Sequence, residues 1–83
     1  MWKLEYSNIA EKFIKSLSNI DKARIVKAVE ALLNNPDLGK QLVGPLKGLR
    51  SHRTGKYRII YKKELKELII FVVAIGHRKS IYK

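Results

Sequence analysis

The stretch Leu46–Tyr61, which reads LKGLRSHRTGKYRIIY, carries five lysines or arginines and one histidine and contains no acid. The acid-free window is wider still, since eight lysines or arginines and no Asp or Glu lie between Asp37 and Glu64. The stretch ends in Tyr57–Tyr61, whose aromatic and β-branched residues favour an extended strand over a disordered basic tail.

A strand over these last five residues would place alternate side chains on opposite faces of a sheet. The sequence puts Tyr57, Ile59 and Tyr61 on one face, which suits a hydrophobic core. Arg58 would lie on the other, open face together with Ile60 and Lys62. A guanidinium there can bind a phosphate through its planar fork of donors.

The composition predicts one small basic domain. The 83 residues leave room for a single core, so we expect one domain over residues 1–83. The 18 Lys and Arg against 7 Asp and Glu give a formal charge of +11, which favours a polyanionic partner such as nucleic acid or an acidic protein. A merely soluble basic surface is the alternative, and the clustering of the charge argues against it.

The sequence indicates a reducing, cytoplasmic environment and no membrane association. The chain has no cysteine, and its first residues show no secretory signal pattern. The longest apolar run, Leu68–Ile75, has eight residues, whereas a bilayer-spanning helix needs about 20.

The order of elements predicts an α+β fold of type β-α-α-β-β-β, in which a helical hairpin packs on a four-stranded, mainly antiparallel sheet. Either Ser7 or Asn8 is expected to cap the first helix, and Asn8 with Glu11 resembles a capping box. We predict that Ile9 packs inward from this helix. The second helix should present the apolar stripe Ala23, Val26, Val29, Leu32 and Leu33.

Most common catalytic constellations have no counterpart in this sequence. Two histidines 25 positions apart with no cysteine make a weak zinc site, and phosphate-loop and dinucleotide motifs are missing. The sequence therefore predicts neither a metal nor another cofactor. Cations and tyrosines remain, and these suffice to cut RNA when the ribose 2′-OH attacks the adjacent phosphate.

Three motifs in series resemble the RelE/ParE toxin superfamily: PLKGL at Pro45–Leu49, R-x-G-x-YRIIY at Arg53–Tyr61, and IGHRKSIY at Ile75–Tyr82. The resemblance is closest to RelE-type mRNA interferases and covers nearly the whole chain. It implies the toxin of a type II toxin–antitoxin pair, inhibiting translation as a metal-independent, ribosome-dependent endoribonuclease that cleaves mRNA in the A site. Its partners would be the ribosome, mRNA and an acidic antitoxin.

The resemblance also implies site residues. Arg58 matches the arginine that stabilises the phosphate in the transition state, and Arg78 matches the proposed general acid. Tyr82 matches the tyrosine that stacks on or orients the nucleotide. The family's strand lysines have no counterpart, so His52 or His77 is the expected proton carrier, because only histidine has an unperturbed pKa near ~6.5.

Further cations are expected to contact the RNA backbone, namely Lys47, Arg50, Arg53 and Lys56. Two other functions remain open at this point. ParE-like members of the superfamily inhibit DNA gyrase on a similar scaffold without nuclease activity, and a basic RNA-binding protein without activity would need the charge but not these positions.

Overall fold

The computed structural model describes residues 1–81 and shows two helices packed on one face of a five-stranded mixed sheet. Strand order is β1-β5-β4-β3-β2, with β1 parallel to β5 and the other neighbours antiparallel. The elements are β1 Lys3–Tyr6, α1 Asn8–Lys15, α2 Asn19–Asn34, β2 Lys40–Gln41, a 3₁₀ turn Gly44–Leu46, β3 Arg50–Thr54, β4 Tyr57–Glu64 and β5 Ile69–His77.

The predicted α+β class is confirmed, but the predicted strand count was too low. The additional strand β2 has two residues and pairs with the start of β3. It lies in a connector rich in glycine and proline, where no alternation of apolar and polar residues predicts a strand. Such a short strand depends on its neighbour for its conformation rather than on its own sequence.

Serine side chains begin both helices. The Ser7 hydroxyl accepts a hydrogen bond from the Ala10 N–H at 3.0 Å, and the Ser18 hydroxyl accepts one from the Asp21 N–H at 3.3 Å. The predicted capping box of Asn8 and Glu11 is therefore wrong, since the helix starts one residue earlier than that pairing requires. Serine in an extended conformation satisfies N–H groups that the helix itself leaves unpaired.

The buried face of α2 consists of Ile25, Ala28, Val29 and Leu32. The prediction that Ala23 and Val26 belong to this face was wrong, because both are exposed. Ile9 of α1 is also 73% exposed, contrary to its predicted packing. Both helices present a narrower apolar stripe to the sheet than their sequences suggested.

The helix-covered face of the sheet carries the core, and alternation along β4 agrees with the prediction. Tyr57, Ile59 and Tyr61 are buried at 4%, 0% and 0% exposure. Arg58, Ile60 and Lys62 alternate with them on the face that no helix covers, termed the open face below, although Ile60 is only 5% exposed there. The strand therefore separates the core from the open face as its period of two requires.

Tyr61 also holds the connector between α2 and β3 against the core. Its hydroxyl donates to the Pro36 carbonyl at 2.7 Å and accepts from the Gly39 N–H at 2.9 Å. Gly39 passes so close to the ring that an added Cβ would lie 2.6 Å from Tyr61 Cε1. Only glycine fits this approach, so the connector is anchored at a defined point before β2.

Candidate functional site on the open face

Arg58 of β4 and Arg53 of β3 lie directly opposite each other on the open face. Like charges in directly opposed positions of a sheet destabilise it, so this pair is not there for stability. The Arg58 Nη1 donates to the Ser51 hydroxyl at 3.2 Å. Ser51 lies on β3 two residues before Arg53 and is only 4% exposed. Its hydroxyl holds the Arg58 guanidinium along the sheet surface.

The end of β5 completes this part of the open face. Gly76 is the neighbour of Arg58 on the side away from Arg53. The Arg78 N–H donates to the Lys56 carbonyl at 3.0 Å, so the first residue of the turn after β5 is held beside the start of β4, two residues from Gly76. Arg53, Arg58 and Arg78, together with Ser51 and Gly76, are called the arginine cluster below.

Acids on the open face lie at the opposite end of the sheet. Glu64 is six positions along β4 from Arg58, roughly 20 Å at the rise of a strand. Glu5 of β1 is paired with Phe71, also towards that end. Within residues 1–81, neither Arg53 nor Arg78 forms an ion pair with an acid. The arginine cluster therefore presents positive charge suited to an external anion.

The two histidines lie on the other side of the sheet. His52 pairs with Ile59 and His77 with Tyr57, both of which face the helices. Burial lowers the pKa of His52, whose side chain lines a groove against α2. His77 packs its ring against Tyr57 at 5.6 Å between centroids. A layer of sheet separates both imidazoles from Arg58, so their predicted role in proton transfer is not supported by their position.

Arg50 also faces the helix side, and its donors are used within the fold. Its guanidinium donates to the Gly39 carbonyl at 2.7 Å and pairs with the Asp37 carboxylate at 3.2 Å, leaving the side chain 16% exposed. Lys63 binds the same carboxylate and lowers its pKa, with Arg50 adding to the effect. Arg50 thus holds the connector in place, and we leave it out of the RNA-contacting set.

The remaining predicted contacts occupy separate positions around the cluster. Lys47 is exposed in the connector after the 3₁₀ turn. Lys56 precedes β4, with its Nζ 3.9 Å from the Asp21 carboxylate and 5.5 Å from the centre of the Tyr57 ring. Tyr82, predicted to stack on a nucleotide, lies outside the described residues.

Sequence reasoning missed Ser51. No sequence pattern distinguishes Ser51 from the other serines of the chain. Only the register between β3 and β4 brings its hydroxyl to Arg58. The usable signal was the alternation of Ser51 and Arg53 along the predicted strand, which puts both on one face.

Two other kinds of site are not found in residues 1–81. No group of three or more His, Asp or Glu side chains is arranged to hold a metal ion. Among the helices of this part of the chain, neither α1 nor α2 combines the length and apolarity needed to cross a membrane.

The fold and site define a class: a small α+β protein whose sheet carries an arginine cluster on the face opposite its two helices. The chain belongs to a family of this class, the ParE toxin of the type II toxin–antitoxin system parDE, whose model matches residues 2–82. It is thereby a member of the RelE/ParE superfamily, as its motifs predicted. No curated protein sequence matches it.

Solved structures share the fold over almost the full length of both chains. A RelBE2 toxin–antitoxin complex from Mycobacterium tuberculosis contains a chain that is 25% identical, with a TM-score of 0.85 over 93% of this chain and 98% of that one. The isolated RelE toxin of E. coli is 19% identical, with a TM-score of 0.79 over 99% and 92%. A YoeB/ParE toxin from Agrobacterium tumefaciens is 19% identical, with a TM-score of 0.77 over 92% and 98%.

Proposed function

We propose that this toxin is a ribosome-dependent endoribonuclease that cuts mRNA in the A site. The observation that carries the proposal is the arginine cluster, in which Arg58 is held by Ser51 and lies directly opposite Arg53 on the open face. This is an arrangement for a phosphodiester, whose negative charge increases as the bond to be cut is attacked. The fold shared with the RelE toxin supports the same assignment.

The proposed reaction is an internal transfer at phosphorus. The ribose 2′ oxygen attacks the adjacent phosphate, the bond from phosphorus to the 5′ oxygen breaks, and the products are a 2′,3′-cyclic phosphate and a 5′-hydroxyl. Arg58 stabilises the charge on the non-bridging oxygens, and Arg78 donates to the departing 5′ oxygen. Tyr82 stacks on or orients the nucleotide, as the resemblance implies.

We assign no proton transfer to His52 or His77, because both face the helices. The proton of the 2′-OH would then pass to water, to the RNA or to a group of the ribosome. Besides the proton that Arg78 gives to the departing 5′ oxygen, the protein contributes positioning and charge stabilisation, which account for large rate enhancements in other enzymes. The dependence on the ribosome follows, since the substrate must be held in a reactive geometry by a second component.

The wider surface supports binding to ribosomal and messenger RNA. Lys47 is exposed in the connector before β3 and would contact phosphates together with Arg53. Lys56, whose Nζ lies 3.9 Å from the Asp21 carboxylate of α2, would contact a phosphate from the helix-side margin of the β3–β4 turn. The formal charge of +11 would draw the toxin to RNA before contact. Such binding weakens steeply as salt is added, because counterions are released from each neutralised phosphate.

We also propose an acidic antitoxin as the partner that silences the toxin. Related toxins have been crystallised as toxin–antitoxin complexes from M. tuberculosis and E. coli. Carboxylates of the antitoxin would pair with Arg53, Arg58 and Arg78, where RNA phosphates would otherwise lie. Inhibition would then be occlusion of the arginine cluster.

The alternative function is inhibition of DNA gyrase without nuclease activity, which the match to the ParE family favours. The two functions make different demands on one side chain. A nuclease needs Arg58 at the reacting phosphate, whereas a gyrase inhibitor needs a surface complementary to gyrase.

The experiment compares Arg58→Ala with Arg24→Ala in mRNA cleavage on programmed ribosomes. Both variants lose one positive charge, but Arg24 lies on α2 over the β3–β4 turn, on the helix side. Arg58→Ala should slow single-turnover cleavage on the order of 100-fold, the usual cost of losing one transition-state donor, while Arg24→Ala cleaves at nearly the wild-type rate. Circular dichroism verifies that both variants fold.

Two outcomes would overturn the proposal. Undiminished cleavage by folded Arg58→Ala would remove Arg58 from the chemistry. Absence of cleavage by the wild type, with inhibition of gyrase supercoiling in the same preparation, would establish the alternative.

A further inference from the structure

β5 contains an extra residue that decides which of its side chains reach the open face. Ile60 of β4 pairs with Ala74, but the next residue, Tyr61, pairs with Val72. Val73 is therefore a β-bulge, with one residue too many for its partner strand. A bulge of this kind changes the phase of alternation from that point onward.

The consequence of the bulge can be read from the buried positions. Val72 and Ile75 both face the helices, at 0% and 4% exposure, although they are three residues apart. Strict alternation from Val72 would have put Gly76 and Arg78 on the helix side as well. With the bulge, Gly76 lies next to Arg58, and the backbone of Arg78, two residues further on, is held to the Lys56 carbonyl beside β4.

Ser7 binds both carbonyl groups at the bulge. Its N–H donates to the Val72 carbonyl at 2.9 Å, and its hydroxyl donates to the Val73 carbonyl at 2.6 Å. The same hydroxyl accepts the Ala10 N–H as the cap of α1. One residue thus joins the start of the first helix to the irregular point of β5, 66 positions away in sequence.

We infer that Ser7 is a positioning residue for the arginine cluster: by bonding the bulge at Val73 it fixes the end of β5 and with it Arg78 relative to Arg58. The expected effect of Ser7 on cleavage rests on the proposed function. Its expected effect on the position of β5 rests on the sheet geometry alone. A displacement of about 1 Å at a reacting group can cost on the order of 100-fold in rate, so a loosened bulge has a measurable effect.

The test separates the capping role of Ser7 from its role at the bulge. Ser7→Asp keeps a good helix cap but cannot donate to the Val73 carbonyl, and its carboxylate repels that oxygen. Ser7→Thr keeps the donor. Ser18→Asp is the matched control, because it makes the same change at the cap of α2, far from the bulge. All three are compared with the wild type.

In single-turnover cleavage, Ser7→Asp should be about tenfold or more slower than wild type with little change in the half-saturating ribosome concentration. Ser7→Thr and Ser18→Asp should cleave at nearly the wild-type rate. Equal slowing by Ser7→Asp and Ser18→Asp would mean that helix capping alone is responsible and would overturn the inference.

A second measurement does not depend on any activity. The chain has no cysteine, so Arg58→Cys with Gly76→Cys introduces one defined pair. Directly opposite residues of antiparallel strands have Cα atoms about 4.5–5.5 Å apart, within the range of a disulfide. Oxidation of this pair should be several-fold slower when Ser7→Asp is added and unchanged when Ser18→Asp is added.

The two measurements distinguish the possible failures. Ser7→Asp could slow disulfide formation while no protein, wild type included, cleaves mRNA. That outcome would support the positioning role of Ser7 and refute the proposed nuclease activity. Cleavage by the wild type with no effect of Ser7→Asp on either measurement would retain the nuclease and refute the positioning.

Discussion

Replacement of Tyr61 by Phe removes one hydroxyl from the centre of the molecule and should cost far more than its size suggests. The ring is fully buried, and Phe fills the same space, so no cavity forms. Two backbone groups lose their partner, the Gly39 N–H and the Pro36 carbonyl. An unsatisfied buried polar group costs about 1–3 kcal/mol. The Gly39 N–H is buried, but the Pro36 carbonyl is only partly buried and costs less, so we expect a loss of about 2–4 kcal/mol in the free energy of unfolding.

Tyr57→Phe is the matched control, because it removes the other buried tyrosine hydroxyl of β4. That hydroxyl donates to the Asp21 carboxylate at 2.8 Å, and Asp21 keeps 20% of its side chain exposed with Lys56 nearby. Water and Lys56 can replace the lost bond, so this change should cost only about 1 kcal/mol.

Urea denaturation followed by circular dichroism measures both free energies of unfolding at one pH. The midpoint for Tyr61→Phe should fall well below that for Tyr57→Phe with similar slopes. If the two variants lose the same stability, the Tyr61 hydroxyl does not anchor the connector at Pro36 and Gly39, and the reasoning is refuted.

Two further predictions concern pH and the partner. Because burial lowers the pKa of His52 below its ordinary 6.5, the unfolded chain binds more protons just below that pH, and the free energy of unfolding should fall between pH 7.5 and pH 5. His52→Gln should reduce this slope, as urea denaturation at the two pH values would show; a slope that His52→Gln leaves unchanged contradicts the prediction. Antitoxin and ribosome should compete for binding to the toxin. Arg58→Ala should weaken antitoxin binding more at low salt than at high salt. A complex of toxin, antitoxin and ribosome that still cuts mRNA would rule out inhibition by occlusion.

The sequence predicted the parts of the fold that local patterns control. The alternation in Tyr57–Tyr61 placed Arg58 opposite the core because a strand has a period of two whatever surrounds it. The breakers around Pro36 ended the second helix at Asn34 as expected. Motif order was enough to identify the superfamily.

The errors arose where a choice depended on neighbours in space. Ala23 and Val26 are apolar and at helical spacing, yet the sheet covers the face centred on Ile25 and Val29 instead. A helix can offer more than one apolar stripe, and the sheet determines which is buried. The role of the histidines in proton transfer stays a prediction, since composition marks them as candidate proton carriers but only the strand register shows that both face the helices.

What the sequence determined by itself was the charge, the class of elements and the face of Arg58 along one strand. What only the tertiary structure decided was which residues meet Arg58. Ser51 reaches it through the register of β3 against β4, and Gly76 is brought opposite it by the bulge at Val73 that Ser7 binds. These relations join residues far apart in the chain, and hydrogen bonds between such residues form only once the sheet and the first helix have packed together.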